Sequence, residues 1–495
     1  MSSLHTIQQQ HLHVKVLGTE TDARELQNRL SGWCHDDLLP ALEKIFDQFS
    51  ETGTWCINLL DIDAGELTLE NMENNLAAIV ALAVEKELRE LTLNKPSLAV
   101  ISNNIHYKTG QQNLAEALVY FLTTGRLPWS LQLPAGKNFE QILLDTSQDC
   151  TPISTNPHLI LKALTSVTAR KRLVRQFSPL LMARILAQFS PDGKKIIETI
   201  LQKLQTADTP PDAIKLFEKQ LWETLFSFIA TARTMTENAV VAETWQTLNI
   251  PIAQLTALES SLPRYWPAII KTTIKTPDTR PSSLTTLEKE KPPLYRTTTH
   301  QTLDSLADTP QKNSQHISQG NQSLEAANIK ENIYIENAGL ILLHPFLPQF
   351  FTALGIAAEN QLVQPERALC LLHFLTTGLL IAPEYELTLC KILCNIPLES
   401  LVESDMELTE SETEEAEALL KAVIRHWDAL RNTGIDGLRG EFFLRFGKLF
   451  VRADGDWLLQ VEAKTVDLLL NQLPWGISMI QLPWMQRILW VEWSY

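Results

Sequence analysis

The sequence has little cysteine and no surplus of positive charge. Its 495 residues include six scattered cysteines, and the formal net charge is -16 at pH 7. So few thiols in a chain of this length do not form a disulfide framework, which indicates reduced cysteines in the cytoplasm. The acidic balance disfavours general binding to nucleic-acid phosphates or anionic membranes. We therefore expect no nucleic-acid partner.

Long apolar runs and a secretory signal are also lacking. The longest apolar runs, such as residues 76–84, have about half of the roughly 20 residues that a membrane-spanning helix needs. Residues 1–14 lack the charged start and apolar core of a signal peptide. We expect a cytoplasmic protein without membrane insertion.

Catalytic sequence motifs are missing as well. The chain has no phosphate-binding glycine loop, no nucleophile elbow and no HExxH zinc motif. Gly434, Gly437 and Gly440 are spaced three apart, which is the wrong spacing for a dinucleotide loop. The sequence therefore predicts no catalytic residue, no cofactor and no enzyme activity.

Two pairs of residues resemble metal ligands only superficially. His11 and His13 lie on the same side of a predicted strand, but a third ligand is missing nearby. Cys390 and Cys394 are one helical turn apart, without the second pair that a zinc site requires. Exposed histidines and buried core cysteines are the better interpretation, so we predict no metal site.

Three charged groups have ordinary structural interpretations. Asp61 and Asp63 fit capping or turn roles at a strand end better than an acid–base pair. The basic cluster 170–172 is interpreted as a solvated helix face or a partner contact. Residues 399–417 carry nine acidic residues and no basic one, which is typical of a charged loop and helix start. An acidic docking site for a basic partner remains the alternative.

The first part of the chain combines strands with helices. Alternating residues predict strands at 11–16 and 55–63. Apolar residues at helical spacing predict helices at 26–33, 37–49, 76–91 and 114–122. Gly125 follows the last of these helices and suits a left-handed C-cap.

The middle of the chain predicts short helices and then a linker. Residues 176–179 and 188–191 share the sequence Gln-Phe-Ser-Pro, in which serine caps a helix and proline takes its first position. The longest helix in this part is expected at about 212–237. From about 271 to 330 the chain is rich in Thr, Ser, Pro, Lys and Gln. Such a segment buries too little apolar area to offset its ordering entropy, so we predict a flexible linker.

The C-terminal part predicts helices and a hairpin. Residues 366–374 form an apolar helix, and the capping box at 409–412 opens a second helix with one apolar face. Strand patterns at 448–452 and 457–462 flank a short Asp-Gly turn and predict a hairpin.

A five-residue sequence, Phe-Leu-Thr-Thr-Gly, occurs at 121–125 and again at 374–378. Both copies follow an apolar helix. The identity indicates that the two ends of the chain carry related units or pack against each other, although five residues are too few to establish a duplication.

Tryptophan is concentrated towards the C-terminus. Six of the 12 tryptophans lie between residues 427 and 493, and Leu-Pro-Trp occurs at 127–129, 473–475 and 482–484. Each proline favours an extended corner from which the indole projects. Aromatic enrichment is typical of a packed core or an interface centre. Ten residues are predicted to serve packing or assembly: Trp129, Asn337, Gly339, His344, Pro345, Trp427, Trp457, Trp475, Trp484 and Trp493.

Together these patterns predict a mainly α protein with small β elements (α+β) at both ends, a helical middle and a flexible linker. The predicted domains are an α+β head (1–149), a solenoid-like region of short helices (150–268), the Thr/Ser/Pro-rich linker (269–330) and a helical domain with the hairpin and Leu-Pro-Trp corners (331–495). A chain of this length can bury several cores.

The ordered motifs of both ends resemble one protein family. The C-terminal part carries the longer set: 337–340, 344–348, 374–378, 383–384, Leu387, Lys391, 393–394, 396–397, 426–427, Leu430, 437–439, Phe443, Arg445, 447–449, Trp457, Leu459, 461–462, Asp467, 469–470, 473–475 and 482–485. The N-terminal part carries 59–65 and 121–129. The chain resembles the tape measure proteins of contractile injection systems, over about residues 5–205 and 331–493.

The resemblance implies a structural role inside the inner tube or at its baseplate end, with length control or tube nucleation as the function. It implies as partners the tube protein, the hub and spike proteins of the baseplate, and other copies of the chain. A baseplate adaptor or cargo-loading module is the alternative. The span 150–330 lacks sustained heptads, and as one straight helix it would reach only about 270 Å, which is short for a ruler.

Overall fold

The computed structural model describes residues 29–49, 53–93, 105–146, 157–205, 211–248 and 332–493, apart from scattered positions within these ranges. It also describes Trp266 and some residues before 29. The described chain is mainly helical with a few small sheets, as the sequence predicts. The predicted linker lies outside the described residues.

From Cys34 to Thr109, two α-helices and two strands of the described chain form a small unit. A π-helical turn, Cys34–Leu38, leads into α1 (Leu39–Phe49), and β1 (Gly53–Ile57), α2 (Leu69–Leu93) and β2 (Ile105–Thr109) follow. β1 and β2 are antiparallel, with Gly53 opposite Thr109. Leu42 and Ile45 of α1 pack against Ala81, Val84 and Leu88 of α2.

One strand prediction was wrong in this unit, and another was confirmed only in its first residues. Residues 11–15 are exposed and form no strand, because alternation alone does not supply a partner strand. Residues 59–63 also form no strand, and β1 ends at Ile57. The aspartate Asp63 instead accepts a hydrogen bond from the amide of Gly65 at 2.9 Å, which is the turn role expected of it.

In the described ranges between β2 and residue 248, eight helices share a second core. They are α3 (Gly110–Thr124), α4 (Phe139–Thr146), α5 (Pro157–Leu164), α6 (Val167–Gln176), α7 (Pro179–Phe189), α8 (Pro191–Gln205), α9 (Pro211–Ala230) and α10 (Glu237–Thr247). Ser178 caps α7 with Pro179 at its first position, and Gly125 ends α3 in the left-handed conformation. Both features were predicted. Trp266 packs in this core, where its indole is fully buried.

One predicted helix is confirmed but is shorter in the structure. The sequence pattern predicts a helix over 212–237, but α9 ends at Ala230 and α10 begins at Glu237. Ala232 adopts a left-handed conformation with φ of 49°, and the Thr236 side chain caps the new helix. The predicted helix was therefore about two turns too long, and the Thr236 cap marks the start of the next helix.

The C-terminal half (residues 332–493) combines helices with a five-stranded sheet and a separate two-stranded sheet. The five-stranded sheet contains β3 (Ile333–Ile335), β6 (Gly447–Val451), β7 (Trp457–Val461), β8 (Met479–Ile480) and β9 (Leu489–Trp493), and the small sheet contains β4 (Ala357–Ala358) and β5 (Gln361–Leu362). Its α-helices are α11 (Leu347–Ala353), α12 (Pro365–Thr377), α13 (Thr388–Leu393), α14 (Glu410–His426) and α15 (Ile435–Leu438). Short 3₁₀ and π turns, among them 338–343, 384–386, 439–443 and 465–472, connect them.

The sheet has the order β3-β6-β7-β9-β8. β6 and β7 form the predicted hairpin, and β9 runs parallel to β7. The capping box of Thr409 and Glu412 opens α14 as predicted. The helices cover an apolar core that includes Leu371, Leu420, Phe443 and Leu459.

Candidate functional site

The helices before Trp266 are here called the N-terminal half. A buried cluster of three charged side chains joins this half to the C-terminal half. Arg172 of α6 binds the Glu384 carboxylate through Nε at 2.9 Å and Nη2 at 3.2 Å. Lys391 of α13 donates to the same carboxylate at 2.8 Å. All three side chains are buried. We call Arg172, Glu384 and Lys391 the buried ion cluster.

The remaining donors of the buried ion cluster bind backbone carbonyl groups. Arg172 donates to Leu122 at 2.7 Å and to Glu399 at 2.9 Å. The Lys391 ammonium donates to the carbonyl oxygens of Leu398 and Ser400. Burial lowers the pKa of Lys391, and the adjacent Glu384 carboxylate opposes that shift. Because the three charges depend on one another, removal of one would leave another buried charge without its partner.

Tyr385 places an aromatic ring of the C-terminal half in the core of the N-terminal half. Its ring centroid lies 6.0 Å from that of Phe121 and 6.3 Å from that of Phe139, both edge-on. Its hydroxyl accepts a hydrogen bond from the Phe139 amide. Burial raises the pKa of the Tyr385 hydroxyl. The apolar contact and the charged contact thus come from neighbouring residues of one short turn.

Polar side chains surround this contact. The Gln176 side chain accepts from the Glu384 amide and donates to the Val402 carbonyl, both at 2.9 Å. Glu403 pairs with Arg175 at 3.0 Å and with Lys219 at 2.9 Å. Part of the acidic stretch 399–417 therefore binds basic residues of the same chain.

The sequence interpretation of the basic cluster 170–172 as a solvated helix face does not hold for its two arginines. Arg172 is fully buried, and Arg170 is buried and donates to the Leu164 carbonyl at 2.7 Å. The prediction of a solvated helix face was therefore wrong for both arginines. Arg172 is buried against Glu384, which lies 212 residues further along the chain. The local sequence around Arg172 therefore did not reveal its partner.

The predicted tryptophans differ in burial. Trp427 and Trp493 are buried, Trp457, Trp475 and Trp484 are half-buried, and Trp129 is exposed. The indole of Trp475 donates to the Leu342 carbonyl at 3.1 Å, and that of Trp484 donates to the Leu393 carbonyl at 2.7 Å. These contacts place the two C-terminal corners against the core of their own half. A role in particle assembly stays a prediction.

The four other predicted packing residues lie near the start of the C-terminal half. Asn337 is buried and donates to the Glu386 carbonyl at 3.0 Å. A Cβ atom on Gly339 would lie 1.7 Å from the Phe442 carbonyl oxygen. The His344 ring contacts the Ile341 carbonyl at 3.0 Å, and Pro345 is exposed. Their predicted assembly role is likewise untested by these contacts.

A second buried ion pair lies beneath the last strand and was not predicted. Arg445 is paired with Asp467, and both side chains are buried. The indole of Trp493 donates to Asp467 at 3.0 Å. This contact ties the final residues of β9 to the core of the C-terminal half.

The candidate metal ligands do not converge in the described part of the chain. Among those residues, no three His, Cys, Asp or Glu side chains are placed to hold a metal ion. Cys370, Cys390 and Cys394 are buried. Burial raises the pKa of Cys370 to about 11 and that of the other two thiols as well. Protonated, enclosed thiols react slowly, so these cysteines act as core residues.

The family model of the contractile injection system tape measure protein matches residues 4–493. The chain belongs to that family. No curated protein and no solved structure matched this tape measure protein.

Membership gives this tape measure protein a structural role in a contractile injection particle, together with tube and baseplate components. Among the described residues, no helix is both long and apolar enough to cross a bilayer. Because the family has a structural role, we interpret the buried ion cluster and Tyr385 as contacts that hold the fold together.

Proposed function

We propose that this tape measure protein nucleates the inner tube on the baseplate as a folded, non-enzymatic assembly component. The observation that carries the proposal is the buried contact between its halves, formed by Arg172, Glu384, Lys391 and Tyr385. A chain whose halves are held together presents a compact surface to several neighbours. Its proposed partners are the tube protein and the hub and spike proteins of the baseplate.

Length control is the second candidate function, and the family description favours it. A ruler needs an extended segment, and the longest helix in the described ranges, α2, has 25 residues. At 1.5 Å per residue it spans about 37 Å. The described helices are therefore too short to set the length of a tube. A ruler of tube length would have to be formed by the segment between the halves.

The experiment is to delete or duplicate residues 271–330 in the producing cell and to measure particle length by negative-stain electron microscopy. We expect particles to disappear when the whole chain is removed and to keep their length when the segment is altered. Lengths that change in step with the number of residues would contradict nucleation alone and support the ruler. Glu407→Gln is the matched control, because Glu407 is exposed.

A further inference from the structure

The five-stranded sheet has one face inside the core of the C-terminal half and one face outside it. Leu449 and Leu459 are fully buried and belong to that core. Side chains alternate along each strand, so Phe450, Leu458 and Trp490 lie on the opposite face. These three side chains are half-buried and belong to none of the described apolar cores. We call the surface that they form the outer face of the sheet.

The strand register gives the outer face an apolar row. The row crosses four strands in the order Phe450, Leu458, Trp490 and Met479. Met479 is 53% exposed, and Phe446, which lies just before β6, is 51% exposed. A contiguous apolar row that reaches the protein surface is typical of a protein-binding site.

A second row on the outer face is polar and carries two opposite charges. It runs in the order Tyr334, Lys448, Gln460 and Glu492. Lys448 is on β6 and Glu492 is on β9, and these strands flank β7, the central strand of the sheet. The row is therefore positive on one side of β7 and negative on the other.

This arrangement is complementary to a rotated copy of itself. A twofold axis that runs parallel to β7, in front of the outer face, places a second sheet face to face with the first. The rotation exchanges β6 and β9, so Lys448 of each copy faces Glu492 of the other. It also brings Phe450 of each copy opposite Trp490 of the other, and Leu458 opposite its own image. Stacked sheets of this kind pack about 10 Å apart, with strand directions within about 30° of each other.

Both charges keep the capacity to pair across such an interface. The Lys448 ammonium lies 5.7 Å from the centroid of the Phe450 ring. Glu492 is exposed and accepts a hydrogen bond from the Gln460 amide at 2.7 Å. Because the ring and the amide are both neutral, neither contact neutralises a charge.

We propose that the outer face of the sheet is an interface between two copies of this tape measure protein, related by a twofold axis along β7. A second copy fits the face because the row from Lys448 to Glu492 matches its own rotated image in charge. The row from Phe450 to Trp490 likewise sets aromatic rings against aromatic rings. Such self-complementary contacts are the commonest type in soluble oligomers. The proposal goes beyond the proposed function, because it holds whether the chain nucleates the tube or sets its length.

The size of the outer face determines the conditions of the test. Five strands about 4.8 Å apart make a sheet roughly 19 Å wide, which is small for a specific interface. We therefore expect a weak dimer that is favoured where copies are held together in one particle. Sedimentation velocity of the full-length protein, from micromolar to sub-millimolar concentrations, should show a dimer fraction that rises with concentration.

Exchanging the two charges tests which residues face each other. Lys448→Glu sets a carboxylate opposite Glu492 of the second copy, and Glu492→Lys sets an ammonium opposite Lys448. Each variant alone should weaken dimerisation at least tenfold, because like charges then face each other. An equimolar mixture of the two variants should dimerise as the unmodified protein does, since each introduced charge then meets its opposite. The double variant in one chain should do the same.

The matched control uses Glu417 and Lys421, which form an exposed ion pair at 3.3 Å on α14. Glu417→Lys and Lys421→Glu should leave dimerisation unchanged, and circular dichroism should show every variant folded. A protein that is monomeric at every concentration would overturn the proposal. Single variants that dimerise normally, or a mixture that stays monomeric, would also overturn it, because Lys448 and Glu492 would then not face each other.

Discussion

At the scale of single residues, buried charges are the most sensitive part of this molecule. Arg172 and Lys391 both depend on the carboxylate of Glu384. Glu384→Gln leaves two buried cations without their counter-charge, and breaking a buried pair in this way costs about 3–5 kcal/mol. We expect the urea midpoint, followed by circular dichroism, to fall accordingly. Glu407→Gln, at an exposed site, should leave it unchanged, and equal midpoints for both variants would contradict the importance of the cluster.

Gly339 is constrained by the approach of another backbone segment. The Cβ atom of Gly339→Ala would lie 1.7 Å from the carbonyl oxygen of Phe442 and 2.8 Å from the Cα atom of Phe443. Since backbone atoms cannot move aside cheaply, we expect a loss of roughly 3 kcal/mol, as for an overpacked core. Thermal unfolding measures the effect.

The control for that substitution is Gly476→Ala, because a Cβ atom there meets no other atom within 4 Å. The control should unfold within a degree or two of the unmodified chain. A Gly339→Ala protein as stable as Gly476→Ala would show that the turn 338–343 can shift away from Phe442.

At the scale of one element, the start of α14 should respond to acid. The Arg367 guanidinium lowers the pKa of Glu412 to about 2, with further help from Thr409. Because the folded pKa lies below the ordinary value of 4.5, this contribution is complete above that value and is lost as the pH falls towards 2. We expect urea midpoints to decline between these pH values, and to decline less steeply in Glu412→Gln. Parallel declines in the two proteins would refute the assignment.

The same helix shows which structural features are predictable from sequence. The capping box of Thr409 and Glu412 and the glycine after each Phe-Leu-Thr-Thr-Gly helix are local, since all the interacting atoms lie within five residues. The strand expected over 11–16 was wrong for the described residues 11–15, because alternation does not show whether a partner strand exists. The helix expected over 212–237 was confirmed up to Ala230 and was too long, because periodicity does not show where a helix ends. Burial of Arg172 depended on Glu384, and no pattern links residues so far apart.

At the scale of the whole molecule, the contact between the halves should survive a break in the chain. It combines the buried ion cluster, the Tyr385 ring and the pairing of Glu403 with Arg175 and Lys219. We expect co-expressed polypeptides 1–270 and 328–495 to elute together from a size-exclusion column. Covalent linkage then serves mainly to raise the local concentration of one half near the other.

The specificity of that contact can be separated from its existence. Glu384→Gln in the second polypeptide should reduce co-elution at micromolar concentration, because it leaves Arg172 buried without a carboxylate, whereas Glu407→Gln should not. If the two polypeptides elute apart while each still unfolds cooperatively, the halves are joined only by the chain between them. The proposed nucleating role would then lose its support, because a molecule with freely separating ends could extend along a tube instead.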